Sequence, residues 1–419
     1  SGEITIRSVL EVVFEKTRPP LNHNSKETTG MVGLENLGAT CYLNALLQML
    51  FHLSAFRKAV YLLPVVKDVP VDGSTTLALQ SVFHDLQVKD SEVSTRDLTK
   101  AFGWTSADAF MQQDVQEMMR VLLDKLEEKM VGTVVDGAIK KLFCGQLRSF
   151  IRCVNVTYES ARDEDYYDLQ LDVKGCKDVK ESFVRYVEKE LLSEDNKYDA
   201  GEEFGKQDAE KGVMFMNFPP VLTIHLKRFA FDMQRMDFAK VHDRYEFPVV
   251  LNLNEFLSPD ADEDVKAINH TYELHSVLVH SGDVHGGHYY AYIRPANKHV
   301  YGQCLDADGK PLPGSEKAGK WYIFNDESVY EVNKREAVDL CFGNKTNGNL
   351  SVGFEKFASA YMLVYVRVDT GKESMKPMGS PEADIPSALS LKFDGQKKKE
   401  LIERRAKLIE DAYTDVYYW

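Results

Sequence analysis

Apolar residues follow two different rhythms along this chain, and the change comes near residue 142. Before it, Leu43, Leu46, Leu47 and Leu50 recur at i, i+3, i+4 and i+7, which predicts a helix with one apolar face. The same rhythm marks 75–88 and 107–130, where Val115, Met118, Met119, Leu122 and Leu126 make a stripe. After it, short apolar runs with partial alternation predict strands at 142–157, 165–173, 221–231, 272–280, 289–294, 321–324 and 361–368. A helix is expected at 178–192, then a polar loop to about 210. Residues 3–15 alternate weakly and predict a further strand. The spans 258–268 (acidic) and 295–320 (rich in Gly, Pro and Lys) read as solvated loops.

This pattern gives an N-terminal segment and linker over 1–29, a main body over 30–368, a Pro-containing linker over 369–395 and a connector helix with the start of a further region over 396–419. The charged helix predicted at 397–411 sets Leu401, Ile402, Leu408 and Ile409 on one side. No internal repeat is evident. Ser1-Gly2 reads as a cloning remnant, and both ends read as cuts in a longer protein.

Composition narrows the function. The 419 residues are 44% hydrophobic and 28% charged, enough for an ample core. The formal charge of −14 disfavours nucleic acid, whose phosphates would meet a like-charged field, and favours a basic partner or peptide tail. No stretch reads as a signal peptide or membrane span. Asn155-Val156-Thr157 and Asn269-His270-Thr271 match the glycosylation pattern, which without a secretory signal is read as chance. Six widely spread cysteines point to a reducing compartment rather than a disulfide framework.

One cysteine stands apart. Cys41 lies in Gly33-Leu34-Glu35-Asn36-Leu37-Gly38-Ala39-Thr40-Cys41-Tyr42-Leu43-Asn44, at the first turn of a predicted helix. Free N–H groups and the positive dipole end favour a thiolate there. Asn36 can return its amide toward the same point and, with the cysteine N–H, form an oxyanion hole. Cys144, Cys153, Cys176, Cys304 and Cys341 lack such surroundings and are read as structural. A base for the thiol is offered by His280-Ser281-Gly282-Asp283-Val284-His285-Gly286-Gly287-His288-Tyr289, a glycine-rich loop that delivers His288 to a strand. A metal cluster of His280, His285 and His288 is the competing reading, but no acidic or thiol ligand stands beside them at a zinc spacing. His288 needs an acceptor to fix its ring, and Asn325 or Asp326, ending the strand Lys320-Trp321-Tyr322-Ile323-Phe324-Asn325-Asp326, could serve.

Taken together, these three segments resemble the signature boxes of the ubiquitin-specific proteases, in that family's order. Further strings support the likeness: Lys100-Ala101-Phe102-Gly103-Trp104, Phe110-Met111-Gln112-Gln113-Asp114-Val115-Gln116-Glu117, Asp163-Glu164-Asp165-Tyr166-Tyr167-Asp168 and Asp195-Asn196-Lys197-Tyr198-Asp199-Ala200-Gly201-Glu202. The resemblance spans about 30–368. It implies an α+β, papain-like cysteine protease fold, with a helical thumb over about 30–140 and antiparallel β palm and fingers over about 141–368.

The resemblance also implies a deubiquitinating cysteine protease that hydrolyses the isopeptide or peptide bond after the C-terminal glycine of ubiquitin. Cys41 would be the nucleophile, His288 the general base, Asn325 the orienting residue and Asp326 a second polar contributor. Asp114 and Glu117 would meet the arginines of the ubiquitin tail. Trp104, Gln116, Phe229, His280, His285 and Tyr289 would be further ubiquitin contacts. Apart from the resemblance, the glycines of the loop 281–287 and the bulky aromatic of Phe102-Gly103-Trp104 lead to the expectation that both segments move on ubiquitin binding. The partners implied are ubiquitin and ubiquitinated proteins, in nucleus and cytoplasm. The alternative is an inactive ubiquitin-binding module of the same fold. No cofactor is implied, and a finger zinc is not expected. Cys153 is followed three residues on by Val156, and Ala200 and Glu203 stand where the second thiolate pair would be.

Overall fold

The computed structural model describes residues 24–64, 69–104, 113–233, 236–284, 286–295, 320–343, 358–368 and 385–395. The predicted strand at 3–15, residues 296–319 of the predicted loop, residues 369–384 and the predicted helix at 397–411 lie outside them, as does His285. The main helices, in chain order, are α1 (Ser25–Thr29), α2 (Cys41–His52), α3 (Ser54–Leu62), α4 (Thr75–Val88), α5 (Arg96–Ala101), α6 (Val115–Met130), α7 (Ala138–Phe143) and α8 (Val179–Tyr186), and short helical turns follow at Glu263–Lys266, inside the span expected to be a loop, and at Lys334–Ala337. The polar, turn-rich stretch read as linker thus contains α1, which Asn24 caps by accepting from the N–H groups of Lys26 and Glu27.

The strands fall mainly into two sheets. Four of them, β1 (Gly145–Cys153), β2 (Glu159–Tyr166), β4 (Glu190–Leu192) and β7 (Ala209–Asn217), pair in the order β2-β1-β7-β4. The larger sheet runs β15 (Ser328–Val332), β14 (Trp321–Asn325), β13 (Gly286–Ile293), β12 (Thr271–Asp283), β16 (Ala358–Arg367), β8 (Val221–Lys227), β3 (Leu169–Asp172). It is antiparallel except where β3 lies parallel to β8. The remaining strands are the short pair β5 (Tyr198–Asp199) and β6 (Lys206–Gln207), the hairpin β9 (Phe229–Asp232) and β10 (Asp237–Lys240), and β11 (Val250–Asn252), which pairs with β12.

Alternation along these strands explains why the large sheet is buried on both faces. Met362, Val364 and Val366 of β16 join Tyr289, Ala291 and Ile293 of β13 in a core shared with α2 to α7. Their neighbours Leu363 and Tyr365 face the opposite way, into a second core with Val277, Val279, Leu222, Ile224 and Phe183 of α8. The helical layer therefore packs on one sheet face, and α2 lies directly against β13. Among the described residues no helix is long and apolar enough to cross a membrane.

Several elements depart from the sequence expectation. The helix expected over 178–192 stops at Tyr186, and Glu190–Leu192 pair as a strand instead. β2 has no apolar alternation: Glu159 through Asp165 are all exposed. Cross-strand pairing holds it, with Arg148 opposite Asp163 and Arg152 opposite Glu159, each pair salt-bridged. The glycine-rich stretch 281–287 is part of a hairpin, with Ser281 paired to His288 and Asp283 to Gly286. The expected 369–395 linker is helical at 387–395, where Ile385, Leu389 and Phe393 recur at helical spacing and are buried against the helical layer. The far end of the four-stranded sheet is closed by Tyr158, with ring centroids 6.2 Å from Tyr198 and 5.9 Å from Phe204, around Cys153, Ala200 and Ala209.

Candidate active site

Cys41 is the first residue of α2, after Thr40 at the N-cap. The turn that leads into it is built by Asn36, whose Oδ1 accepts from the N–H of Gly38 at 3.0 Å and of Thr40 at 3.3 Å. Gly38 takes φ +139°, in the region that favours glycine. The sulfur is buried at 3% exposure and faces β13, whose Tyr289 N–H donates to Sγ at 3.4 Å.

His288, next to Tyr289 on β13, completes the pair. Its Nε2 lies 2.5 Å from Asn325 Oδ1, and the ring hydrogen-bonds Cys41, so Nδ1 is the nitrogen turned to the sulfur. Burial lowers the affinity of the ring for a proton, but the bonds to Cys41 and Asn325 and the attraction of Cys41 and Asp326 outweigh it and raise the pKa to about 9. The balance favours the charged form of the ring beside Cys41.

Asn325 and Asp326 stand differently to His288. Asn325, the last residue of β14, touches the imidazole directly. Asp326 begins the two-residue turn to β15 with φ +48°, a conformation that Asp tolerates. Its Oδ2 is 3.8 Å from His288 Nε2. The carboxylate is held instead by two side-chain amides, Asn44 Nδ2 at 2.8 Å and Asn36 Nδ2 at 2.9 Å. Burial raises its pKa, against the pull of those donors and of His288. The Leu34 N–H donates to the Asp326 carbonyl at 2.8 Å. Gly33 packs so closely that any Cβ there would land on the backbone carbonyls of Asp326 and Glu327. Asn36, read from sequence as an oxyanion donor, thus gives its Oδ1 to the turn and one Nδ2 hydrogen to Asp326.

The expected ubiquitin contacts gather beside this centre to differing degrees. Asp114 caps α6 by accepting from the Gln116 N–H at 2.7 Å, and the buried Tyr361 hydroxyl donates to its Oδ2. Tyr361, Phe229, His280 and Tyr289 form an aromatic cluster. His280 is only 2% exposed: Lys240 Nζ lies 2.9 Å from its Nδ1 and donates to the carbonyls of His280 and Gly282. His280 therefore turns its ring inward from the β12–β13 hairpin, where it pairs with Tyr289. Burial, and next the nearby Lys240, lower its pKa to about 3. Gln116 is 9% exposed and donates to Asp168, which Arg120 also grips with two bonds at 2.7 and 3.0 Å. Glu117 is exposed in the first turn of α6. Trp104 is half-buried, stacked on Phe102 at 5.6 Å and 6.3 Å from Tyr42. The sequence reading missed Asn44, Lys240, Asp168 and Arg120. Asn44 was detectable as a polar residue inside the Leu43–Leu50 stripe.

A cysteine at a helix start, an imidazolium against it and an amide on the far ring nitrogen form a thiol-hydrolase constellation. Comparison with known proteins agrees. The family "Ubiquitin carboxyl-terminal hydrolase" matches residues 32–365. Ubiquitin C-terminal hydrolase 12 of Arabidopsis thaliana is 45% identical over 98% of this chain and 36% of its own length. Ubiquitin carboxyl-terminal hydrolase 15 of Saccharomyces cerevisiae is 42% identical over 94% of the chain and 31% of its own length. Ubiquitin carboxyl-terminal hydrolase 7 of Drosophila melanogaster is 43% identical over 94% of the chain and 32% of its own length. The chain thus spans about a third of the length of these relatives. With the site's geometry and a match across nearly the whole described body, this chain belongs to the ubiquitin carboxyl-terminal hydrolase family.

Proposed function

We propose that this chain is the catalytic part of a deubiquitinating cysteine protease, cleaving the bond after the C-terminal glycine of ubiquitin. The observation that carries this reading is the contact of Cys41 and His288, with His288 Nε2 fixed 2.5 Å from Asn325. The thiolate attacks the carbonyl of the terminal glycine. The imidazolium protonates the departing lysine amine, leaving an acyl-enzyme. Neutral His288 then takes a proton from water, and hydroxide attack on the thioester releases ubiquitin. Donors for the developing oxyanion are the helix-start N–H of Cys41 and the second amide hydrogen of Asn36.

On this reading the helical layer, large sheet and four-stranded sheet correspond to thumb, palm and fingers of a papain-like protease. Asp114 and Glu117 meet the basic ubiquitin tail, near Phe229 and Tyr289. Trp104 and the hairpin around His285 are further contacts. A reducing setting, nucleus and cytoplasm, accords with the free thiols of all five described cysteines. The test is hydrolysis of ubiquitin carrying a C-terminal fluorogenic amide. Turnover that Cys41→Ala abolishes supports the enzyme. Tight ubiquitin binding with no turnover by the wild type would make the chain a binding module.

A further inference from the structure

Two side-chain amides converge on the Asp326 carboxylate, and one of them comes from the nucleophile's own helix. Asn44 lies three residues after Cys41 on α2 and is 2% exposed. Its Nδ2 donates to Asp326 Oδ1 at 2.8 Å and reaches the carbonyls of Glu35 at 3.1 Å and Leu34 at 3.5 Å. Its Oδ1 is buried with no hydrogen-bond partner among the described residues. An amide with an unmet acceptor is costly to bury. Asn44 shares its i±4 face of α2 with Thr40 and Gln48, both buried and polar, while Leu43, Ala45, Leu46 and Leu47 beside them along the helix are buried and apolar.

What the amide accomplishes is a link. Its hydrogens join α2 to the 34–35 backbone, which precedes Asn36, and to Asp326, which follows Asn325. We propose that Asn44 is a positioning residue for the hydrolysis proposed above: it sets, through Asp326, the distance between the helix bearing Cys41 and the strand end bearing Asn325. The inference rests on the hydrolase reading of the Cys41–His288 pair. Only a donor serves at position 44, because a carboxylate would oppose that of Asp326.

The test measures kcat, KM and melting temperature for wild type, Asn44→Ala, Asn44→Asp and Asp326→Asn with the fluorogenic ubiquitin substrate. Asn44→Ala is expected to lose about tenfold or more in kcat while KM stays within about threefold. Asn44→Asp is expected to lose more near neutral pH. Its rate relative to Asn44→Ala should rise as pH falls, since one of two facing carboxylates then takes a proton and becomes a donor. A packing role alone gives no such pH-dependent ratio. A kcat for Asn44→Ala within about twofold of wild type, or a ratio flat in pH, overturns the proposal. If neither position-44 variant folds, Asp326→Asn probes the same link from the other side, because its side chain cannot accept both amides on two oxygens; a normal kcat there overturns it. Absence of turnover by the wild type refutes the hydrolase reading itself, before any variant is compared.

Discussion

Replacing Asn325 separates the two candidate partners of His288. Asn325 Oδ1 is 2.5 Å from Nε2, whereas the Asp326 carboxylate is 3.8 Å away and already held by Asn36 and Asn44. Asn325→Ala removes a hydrogen bond to a charged group, worth about 1.5–3 kcal/mol. That corresponds to a loss of roughly 10- to 100-fold in kcat/KM and to a fall of about one to two units in the pKa of His288. The imidazolium is held at about 9, above its ordinary 6.5. Activity that needs the thiolate–imidazolium pair should therefore decline on the alkaline side as pH rises through about 9. In Asn325→Ala that alkaline limb moves to lower pH.

Asn325→Asp keeps the acceptor and adds a charge. At about 4 Å and an effective dielectric near 20, the attraction is about 4 kcal/mol. The His288 side chain is 38% exposed, so solvent screening cuts this to roughly 1–2 kcal/mol, and the alkaline limb moves up by about one unit. The assay is kcat/KM for the fluorogenic ubiquitin substrate across the pH range where all variants remain folded. An unchanged rate and profile in Asn325→Ala, with both lost in Asp326→Ala, would refute this division and make Asp326 the acceptor.

Other consequences follow from the same geometry. Gly33→Ala should reduce kcat by about tenfold or more, because its Cβ would displace the turn bearing Asp326; wild-type kinetics in a folded variant would contradict the packing. Phe393→Ala removes a ring that is 3% exposed and lies 5.1 Å from His84, which costs about 3–5 kcal/mol for a Phe in a core, so thermal denaturation should show a lower melting temperature. An unchanged melting point would detach 385–395 from the folded body. Chelation should leave the melting temperature unaltered, since Tyr158, Tyr198 and Phe204 close the end of the four-stranded sheet; release of bound zinc together with a lower melting point would contradict that.

The chemistry was legible where it is local, and it was hidden where it depends on distant chain. Cys41 at a helix start and His288 behind glycines carry their reactivity in their immediate neighbours. Asn325 and Asp326 were both visible at a strand end, but only folding shows that one touches the ring while the other is held by amides. Those amides come from residues 36 and 44, some 290 positions away along the chain, and no periodicity encodes that pairing. The same holds for Lys240 beneath the hairpin and for Arg120 with Asp168. β2 was illegible because cross-strand charge pairs rather than alternation sustain it. The helical turns at 387–395 were masked by the prolines before them, although Ile385, Leu389 and Phe393 do carry the spacing of a buried face.

Ubiquitin bearing a C-terminal electrophile offers the most direct reading of the central claim, since it reports which atom attacks and which carbonyl position it reaches. Incubated with the protein, it should form a single covalent adduct whose peptide map places the bond on Cys41 Sγ, with no adduct in Cys41→Ala. Labelling at another cysteine, or none on a folded protein that binds ubiquitin, would contradict the account.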